Sequence, residues 1–374
     1  MTTRTSTRKE GEKVSARVGT IQKFKRKEER QMEVEISEVL EILRRPQPSD
    51  SVLEFIVSED GYKRIIEDRE KSNRKYRVWY DVATHKVTIN CCPSYIHERT
   101  IVMVIDSMVE EAVRVMRKAG VSDDVISRVQ KAGQLTTSAH SGSSRKSYKE
   151  PDGLIVFEGG GADRRRIALE VGFAQTYSSL RRATLWWIEH KNATLAVLVC
   201  LTEVDKSARE TRREFGTIQE LNAEMQRIGN LFYRQRTEDR RRFTPLEYDG
   251  YKWFGTLSDV FFETFCETDT GVLSSDPVYL VKDGLDVTGS INLTATVGDF
   301  VPQSWLSDNH IRGSAVNFLQ SQDFMEGLSN AIVETALDRI EDILKFRNND
   351  TICVRSARFQ DYIYFIVATL FTGH

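Results

Sequence analysis

The pattern of apolar and polar residues is clearest between residues 149 and 202. Short apolar runs bounded by glycines or polar residues predict three strands, at residues 153–158, 166–173 and 194–201. Three consecutive glycines at 159–161 predict a hairpin turn between the first two strands, and apolar positions at helical spacing predict a helix over residues 175–190. This stretch therefore predicts a β-hairpin that is followed by a helix and a further strand.

Apolar spacing also predicts the elements on both sides of this stretch. On the N-terminal side it predicts a helix, a strand, a short helix, a hairpin, a long amphipathic helix and another short helix, at residues 33–45, 51–57, 61–70, 76–92, 95–119 and 122–132. Residues 133–147 are rich in serine, threonine and glycine, and they predict a mobile loop that is either a gate over a site or a plain connector. On the C-terminal side the pattern predicts helical structure within 205–239, strands at 253–265, 278–281, 286–297 and 351–354, a helix at 314–346 and an apolar end segment at 362–371.

The glycine turn determines which residues face each other across the hairpin. Residues that pair across antiparallel strands have numbers that add up to twice the turn centre, so a centre near Gly161 places Asp152 opposite residues 170–172. Asp152 and Glu170 should then lie together, where two ionised carboxylates repel each other unless a cation neutralises them. Their hard oxygens suit magnesium or manganese. The alternative is that Asp152 begins a turn and Glu170 belongs to a surface salt bridge.

Three short motifs follow one another in a characteristic order. The acidic strand start Pro151-Asp152, the segment Glu170-Val171-Gly172 after the hairpin, and a helix with two adjacent tryptophans resemble the PD-(D/E)XK, or restriction-endonuclease-like, superfamily. The form EVGFAQ is similar to the E-V-G-x-[SA]-Q segment of its fungal branch. Upstream, the segment PSYIHE at residues 93–98 is similar to the start of the helix in a restriction-endonuclease family common in cyanobacteria. The resemblance covers roughly residues 74–203.

The resemblance implies both a fold class and a chemistry. It implies an α/β fold with a restriction-endonuclease-like mixed central sheet flanked by helices, here with an elaborated C-terminal half. It also implies that nucleic-acid phosphodiester bonds are hydrolysed with Mg²⁺ or Mn²⁺ as the cofactor. Asp152 and Glu170 would hold the ion, the backbone carbonyl of Val171 would add a ligand, and Glu98 would complete the catalytic set. Glu110 or Glu111 is the alternative to Glu98, which would also stabilise its helix dipole without any metal.

One position departs from the pattern of the resembling enzymes. Their last motif position is usually a lysine whose ammonium orients the attacking water, and Gly172 occupies that position here. Gln175 is the first catalytic candidate to replace the lysine because it lies nearest along the chain, and Lys149 and Arg181 or Arg182 are the others. Two hypotheses stay open: an active variant site, or a catalytically inactive domain that binds a protein or a nucleic acid.

Basic residues around the hairpin are candidates for contact with nucleic acid. They are Lys149, Arg164, Arg165, Arg181 and Arg182. The arginines that directly follow the glycines could also serve only solubility. The glycine run precedes a strand and is not followed by Lys-Ser or Lys-Thr, so it predicts neither a P-loop nor a dinucleotide site.

Length and charge bound the organisation of the chain. Its 374 residues are 40% hydrophobic and carry a formal net charge of −2, which allows a large core. Residues 1–33 are polar and basic and predict a disordered tail. Residues 34–374 predict one nuclease-like domain, with a core at about 74–203 and an extension at 204–374. The extension could cover a sheet edge or form a homodimer face.

The cysteines and the N-terminal segment bear on the cellular compartment. Five cysteines without metal-binding or disulfide spacing favour a reducing compartment. The sequence shows no secretory signal and no apolar segment long enough to span a bilayer, so it predicts a soluble intracellular protein, cytoplasmic or nuclear, without a membrane partner. The basic run KFKRK at residues 23–27 is compatible with nuclear import and equally with a solvated tail.

Overall fold

The computed structural model describes residues 36–44, 51–72, 76–91, 93–132, 137–141, 145–159, 165–173, 175–206, 213–238, 242–268, 270–287, 293–319, 321–341 and 344–346. These ranges form a mixed α/β fold with a five-stranded and an eight-stranded sheet. None of their helices combines the length and the hydropathy that crossing a lipid bilayer would require. The predicted basic tail, the predicted strand at 351–354 and the apolar segment at 362–371 lie outside the described residues.

The helices and strands are numbered here in chain order. The helices are α1 (36–44), α2 (Glu59–Ser72), α3 (Tyr95–Lys118), α4 (Asp123–Ile126), α5 (Tyr177–Lys191), α6 (Ile218–Glu238), α7 (Val297–Phe300), α8 (Asn309–Arg312) and α9 (Ser321–Glu341). The strands of the N-terminal part are β1 (Ser51–Ile56), β2 (Tyr76–Asp81), β3 (Lys86–Cys91), β4 (Val129–Lys131), β5 (Thr137–Ser141), β6 (Arg145–Lys149), β7 (Gly153–Phe157), β8 (Arg166–Phe173) and β9 (Leu195–Val204). The later strands are β10 (Arg213–Phe215), β11 (Leu246–Tyr248), β12 (Tyr251–Phe254), β13 (Thr256–Thr268), β14 (Gly271–Ser274), β15 (Val278–Lys282), β16 (Leu285–Asp286), β17 (Thr294–Thr296), β18 (Ala315–Asn317) and β19 (Leu344–Phe346).

The small sheet is antiparallel and has the strand order β1-β3-β2-β6-β5. Its core lies on the face covered by α1 and α2, and the ring of Tyr62 stacks on Tyr80 and on Tyr148 with centroid distances of 5.0 Å. Because side chains alternate along a strand, the residues between these core positions point to the opposite face. Arg77 on β2 and Lys149 on β6 belong to that opposite face.

The large sheet has the order β16-β15-β13-β9-β8-β7-β4, and β14 also pairs with β13. Strands β8 and β9 are parallel and are joined by α5, whereas the other neighbouring strands are antiparallel. Residues of β8 alternate between two cores, with Leu169 and Val171 in the core that contains α3 and Ala168 in the core that contains α5. The hairpin, helix and further strand predicted from the apolar pattern are therefore present, and helices lie on both faces of the sheet.

The C-terminal half shares its core with the N-terminal half. Strand β13 pairs with β9 along most of its length, and α9 packs against α3 and α6. One continuous cluster of buried side chains contains residues from α3, β8 and β9 together with residues from α6, β13 and α9. The extension after residue 203 therefore supplies one side of the large sheet and part of its covering layer.

Four predicted elements differ from the structure. The predicted loop at 133–147 contains strands β5 and β6, because neighbouring strand β2 supplies hydrogen-bond partners that polar composition does not reveal. The predicted helix at 122–132 is the single turn α4 followed by β4, and the helix predicted at 314–346 is β18 followed by α9. Within the strand predicted at 286–297, the described residues contain the end of β16 and the whole of β17, and residues 288–292 lie outside the described ranges. In the two mispredicted helices a short apolar window fits both periodicities, and sheet pairing decides between them.

Candidate functional site

The two predicted carboxylates lie at the end of the hairpin where the large sheet meets the small sheet. Gly153 pairs with Leu169, which places Asp152 opposite Glu170 and agrees with the turn centre predicted at residue 161. The backbone N–H of Val171 donates to Asp152 Oδ2 at 2.7 Å. Both acidic residues are buried, with 7% of Asp152 and 6% of Glu170 exposed. Their charges therefore require partners within the protein.

Asp152 is paired with side chains from β2 and α3. The Arg77 guanidinium donates from one nitrogen to Asp152 Oδ1 and from the other to Glu98 Oε1 at 2.8 Å. His97 Nε2 lies 3.0 Å from the Val171 carbonyl oxygen and 3.5 Å from Asp152 Oδ2. Helix α3 positions His97 and Glu98 in its first turn because Ser94 caps its N-terminus.

Glu170 is paired with a different set of groups. Its Oε1 accepts a hydrogen bond from the Lys149 ammonium at 2.8 Å and another from the Trp187 indole N–H at 2.5 Å. Lys149 is 3% exposed and also donates to the Ala183 carbonyl at 2.5 Å. The rings of Trp79 and Trp187 lie 5.5 and 5.1 Å from Lys149 Nζ, within the range of cation–π attraction.

Burial and neighbouring charges shift the ionisation of these groups in opposite directions. Burial alone would raise the pKa of Asp152, but the charges of Arg77 and His97 hold it below its usual range. Burial opposes protonation of His97, yet the charge of Asp152 outweighs it and raises the pKa to about 9. Burial raises the pKa of Glu170 to about 7, because Lys149 offsets only part of the lost hydration. Burial also lowers the pKa of Lys149.

Six charged residues at this place form a network of ion pairs, the ion cluster. Its members are Arg77, His97, Glu98, Lys149, Asp152 and Glu170. Three carboxylates face three basic groups, so the charges balance when all of them are ionised. The small sheet contributes the arginine and the lysine, while α3 and the hairpin contribute the others. The cluster therefore exists only when the two sheets are assembled.

The predicted metal ligands have suitable donor atoms but are held by protein cations. Carboxylate and carbonyl oxygens are the donors that Mg²⁺ and Mn²⁺ prefer, so the chemistry of Asp152, Glu170 and the Val171 carbonyl fits such an ion. In the part of the chain that the structure describes, no group of three or more His, Cys, Asp or Glu side chains is arranged to hold a metal ion. A divalent ion would therefore have to replace protein cations at these oxygens.

Gly172, in the position that is usually a lysine, lies against α5. A Cβ atom built on Gly172 would lie 2.5 Å from Leu180 Cδ2, closer than any relaxed contact. A lysine at this position would therefore have to displace the buried Leu180 side chain, which fills the space over Gly172. An amine that serves this site has to come from another element, and Lys149 on β6 is the one that contacts Glu170.

We expect Gly172→Ala to lower the free energy of unfolding by about 1–3 kcal/mol, because the added methyl group overpacks the contact with Leu180. Urea denaturation measures the change. Gly229→Ala is the matched control, since Gly229 lies inside α6 and a Cβ there would meet Leu337 Cδ1 at an ordinary 3.7 Å. That control should be neutral or stabilising, because alanine favours a helix interior. Equal stability of Gly172→Ala and the wild type would contradict the packing argument.

Gln175, Arg181 and Arg182 lie near the ion cluster without a described contact to its carboxylates. The Gln175 amide donates to the Ser179 hydroxyl at 3.0 Å and lines a surface recess together with His97 and Val171. Arg181 Nε lies 3.8 Å from Glu263 Oε1. The Arg182 guanidinium lies 5.7 Å from the centre of the Trp79 ring, which Lys149 also approaches.

The remaining candidates lie away from the ion cluster or outside the described residues. Arg165 precedes β8 at the opposite end from Glu170, and five residues of strand separate them by roughly 16 Å. Glu111 pairs with Arg114 about three turns along α3 from Glu98. Arg164 lies outside the described residues. The structure thus brings Glu98, Lys149, Asp152, Glu170 and Val171 together and leaves Arg165 apart.

Arg77 and Trp187 are the members of this site that sequence reasoning missed. Arg77 occupies a position in β2 between the buried residues Tyr76 and Val78, and a buried arginine requires a carboxylate partner. The sequence shows the arginine between two apolar strand residues but not its burial, and its partners are 21 and 75 residues away. No protein-family model matches this chain, and no curated protein and no solved structure is significantly similar to it.

Proposed function

We propose that the ion cluster is the site of divalent-metal-dependent hydrolysis of nucleic-acid phosphodiester bonds. The observation that supports this most is that Glu98, Asp152, Glu170 and the ammonium of Lys149, from four separate parts of the chain, belong to one ion cluster that is buried except at Glu98. Helix α3, the β7–β8 hairpin, α5 and β9 follow one another in that order, with other elements between α3 and β7, and this order also fits the resemblance to restriction-endonuclease-like proteins.

Asp152, Glu170 and the Val171 carbonyl would hold the Mg²⁺ or Mn²⁺ ion, and Glu98 is the third carboxylate of the ion cluster, which shares Arg77 with Asp152. Such an ion supplies Lewis acidity and a water of lowered pKa when it is bound. The protein's part is to fix the carboxylates. Trp187 and the Val171 N–H do this by hydrogen bonds to Glu170 and Asp152.

Lys149 takes the role that the sequence had first given to Gln175. Its ammonium contacts Glu170 directly, whereas the Gln175 amide bonds to Ser179. A buried ammonium interacts strongly with negative charge because water does not screen it. It can therefore orient a water and stabilise charge that develops on a phosphate oxygen. Lys149 reaches this place from β6 of the small sheet, so the usual lysine is replaced from a different part of the fold.

The test is cleavage of plasmid DNA and of labelled DNA and RNA oligonucleotides with Mg²⁺ or Mn²⁺. We expect Asp152→Asn, Glu170→Gln and Lys149→Met each to reduce the rate by at least about a hundredfold, since each removes a charge from the reacting centre. Gln175→Ala is the matched control and should leave the rate within a few fold. Circular dichroism confirms that each variant is folded at the assay temperature. Cleavage that survives Asp152→Asn and Glu170→Gln would exclude this site.

A second candidate function is nucleic-acid or protein binding without catalysis. The pairing of Arg77 with Asp152 favours it, because an internal cation already occupies a ligand position. Arg182 beside the Trp79 ring offers a cation and an aromatic surface of the kind that contacts single-stranded nucleic acid. Gel-shift binding that is weakened by Arg182→Ala, combined with no cleavage by the wild type in either metal, would favour this candidate.

A further inference from the structure

Arg77 holds two carboxylates of the ion cluster at once. It is 5% exposed, and its two terminal nitrogens pair with different acids, one with Asp152 and the other with Glu98. The Asp152 side chain is 6% exposed, whereas the Glu98 side chain is 40% exposed. The arginine therefore links a buried acid to one that reaches solvent.

The bonds at Asp152 differ in how easily they can be released. Oδ2 accepts from the backbone N–H of Val171, which is fixed by the sheet pairing of β8. Oδ1 accepts from the side chain of Arg77, which can turn away and keep its second bond to Glu98. A divalent ion would therefore bind Asp152 through Oδ1. To do so, the ion has to displace the Arg77 guanidinium from that oxygen.

We infer that Arg77 is a positioning residue that competes with the divalent ion for Asp152 and thereby sets the metal affinity of the site. This inference rests on the proposed metal-dependent function. In the absence of the ion, the guanidinium neutralises Asp152 and holds it in place. When the ion binds, the same guanidinium stays on Glu98. The metal affinity therefore depends on how much more strongly Asp152 binds the ion than it binds the Arg77 guanidinium.

Replacing Arg77 should change the Mn²⁺ affinity, and the direction of the change distinguishes competition with the ion from a purely structural role. A neutral residue at position 77 removes the closer of the two cations at Asp152 and leaves only His97, whose Nε2 lies 3.5 Å from Oδ2, so an added divalent ion meets less competition. We expect Arg77→Gln to bind Mn²⁺ about tenfold or more tightly than the wild type, the size expected from one charge-assisted hydrogen bond. Loss of a merely structural arginine would weaken metal binding or leave it unchanged.

The experiment measures Mn²⁺ binding by isothermal titration calorimetry and the rise in melting temperature with Mn²⁺, both against NaCl of equal ionic strength. The proteins are the full-length wild type, Arg77→Gln and Arg77→Lys. Arg339→Gln is the matched control because it breaks another buried arginine–carboxylate pair, with Glu203, outside the ion cluster. We expect Mn²⁺ to raise the melting temperature most in Arg77→Gln, since a ligand that binds only the folded state stabilises that state. Arg77→Lys, which keeps one charge, should lie between wild type and Arg77→Gln, and it remains informative if Arg77→Gln does not fold.

Each outcome decides a separate point. Tighter Mn²⁺ binding by Arg77→Gln, with no such gain in Arg339→Gln, supports the inference. Affinity equal to or weaker than that of the wild type overturns it, as does the absence of binding by all variants at millimolar Mn²⁺. Wild-type cleavage together with unchanged affinity of Arg77→Gln overturns the role of Arg77 and leaves the proposed function in place. Tighter binding without cleavage by any form overturns hydrolysis and leaves the role of Arg77.

Discussion

Lys149→Met is expected to lower the free energy of unfolding by about 3–5 kcal/mol, because it removes one partner of a buried ion pair and leaves Glu170 either as an unpaired charge or protonated at the cost of its raised pKa. Glu170 is 6% exposed, so water cannot replace the lost ammonium. Methionine has a similar length and keeps the packing against Trp79 and Trp187. The loss therefore comes from the charge rather than from a cavity. Urea denaturation followed by circular dichroism measures it.

The double variant Lys149→Met/Glu170→Gln distinguishes a loss caused by charge from a loss caused by packing. An amide at position 170 carries no charge, and its oxygen can still accept from the Trp187 indole. We expect this variant to recover most of the stability that Lys149→Met loses. Lys63→Met removes a lysine whose pair with Asp60 lies in solvent, and it should show no measurable change. A double variant no more stable than Lys149→Met would mean that packing, not charge, determines the loss.

The sequence predicted the hairpin and its register because those depend on local information. The glycines predict where the turn lies, and the period of two along each strand then predicts which residues face each other. The pairing of Gly153 with Leu169 follows directly from a turn centre at residue 161. The meeting of Asp152 with Glu170 could therefore be predicted without knowing the rest of the fold.

The cations of the site could not be predicted in the same way. Arg77 and Lys149 reach the carboxylates because the small sheet docks one face against the end of the hairpin. That docking depends on strands β5 and β6, which lie in a stretch whose serine and threonine content predicted a loop. Polar composition describes the solvent exposure of a segment, whereas strand formation here depends on a neighbour that is distant in sequence. Sequence alone therefore points to Gln175, the nearest candidate along the chain, as the residue that replaces the lysine.

Arg339→Met is expected to lower the free energy of unfolding by about 3–5 kcal/mol for the same physical reason at a different place. Arg339 on α9 makes two hydrogen bonds of 2.7 Å to the carboxylate of Glu203 on β9 and a third of 3.0 Å to the Trp253 carbonyl. The Glu203 side chain is 9% exposed and also accepts from the Gly255 N–H at 2.7 Å. Without the arginine, the Glu203 side chain loses the cation that pairs with it.

This pair also ties the C-terminal half to the strand that follows α5, so its loss tests whether the two halves unfold together. Because α9 and β9 share one buried core, we expect a single transition in which circular dichroism and tryptophan fluorescence coincide, shifted to lower urea. Arg44→Met, which breaks a pair with Asp68 whose arginine is exposed, is the control and should leave the midpoint unchanged. Two separate transitions in Arg339→Met would instead show that the residues after 203 form an independently folding unit. An unchanged midpoint would show that water replaces Arg339 at Glu203.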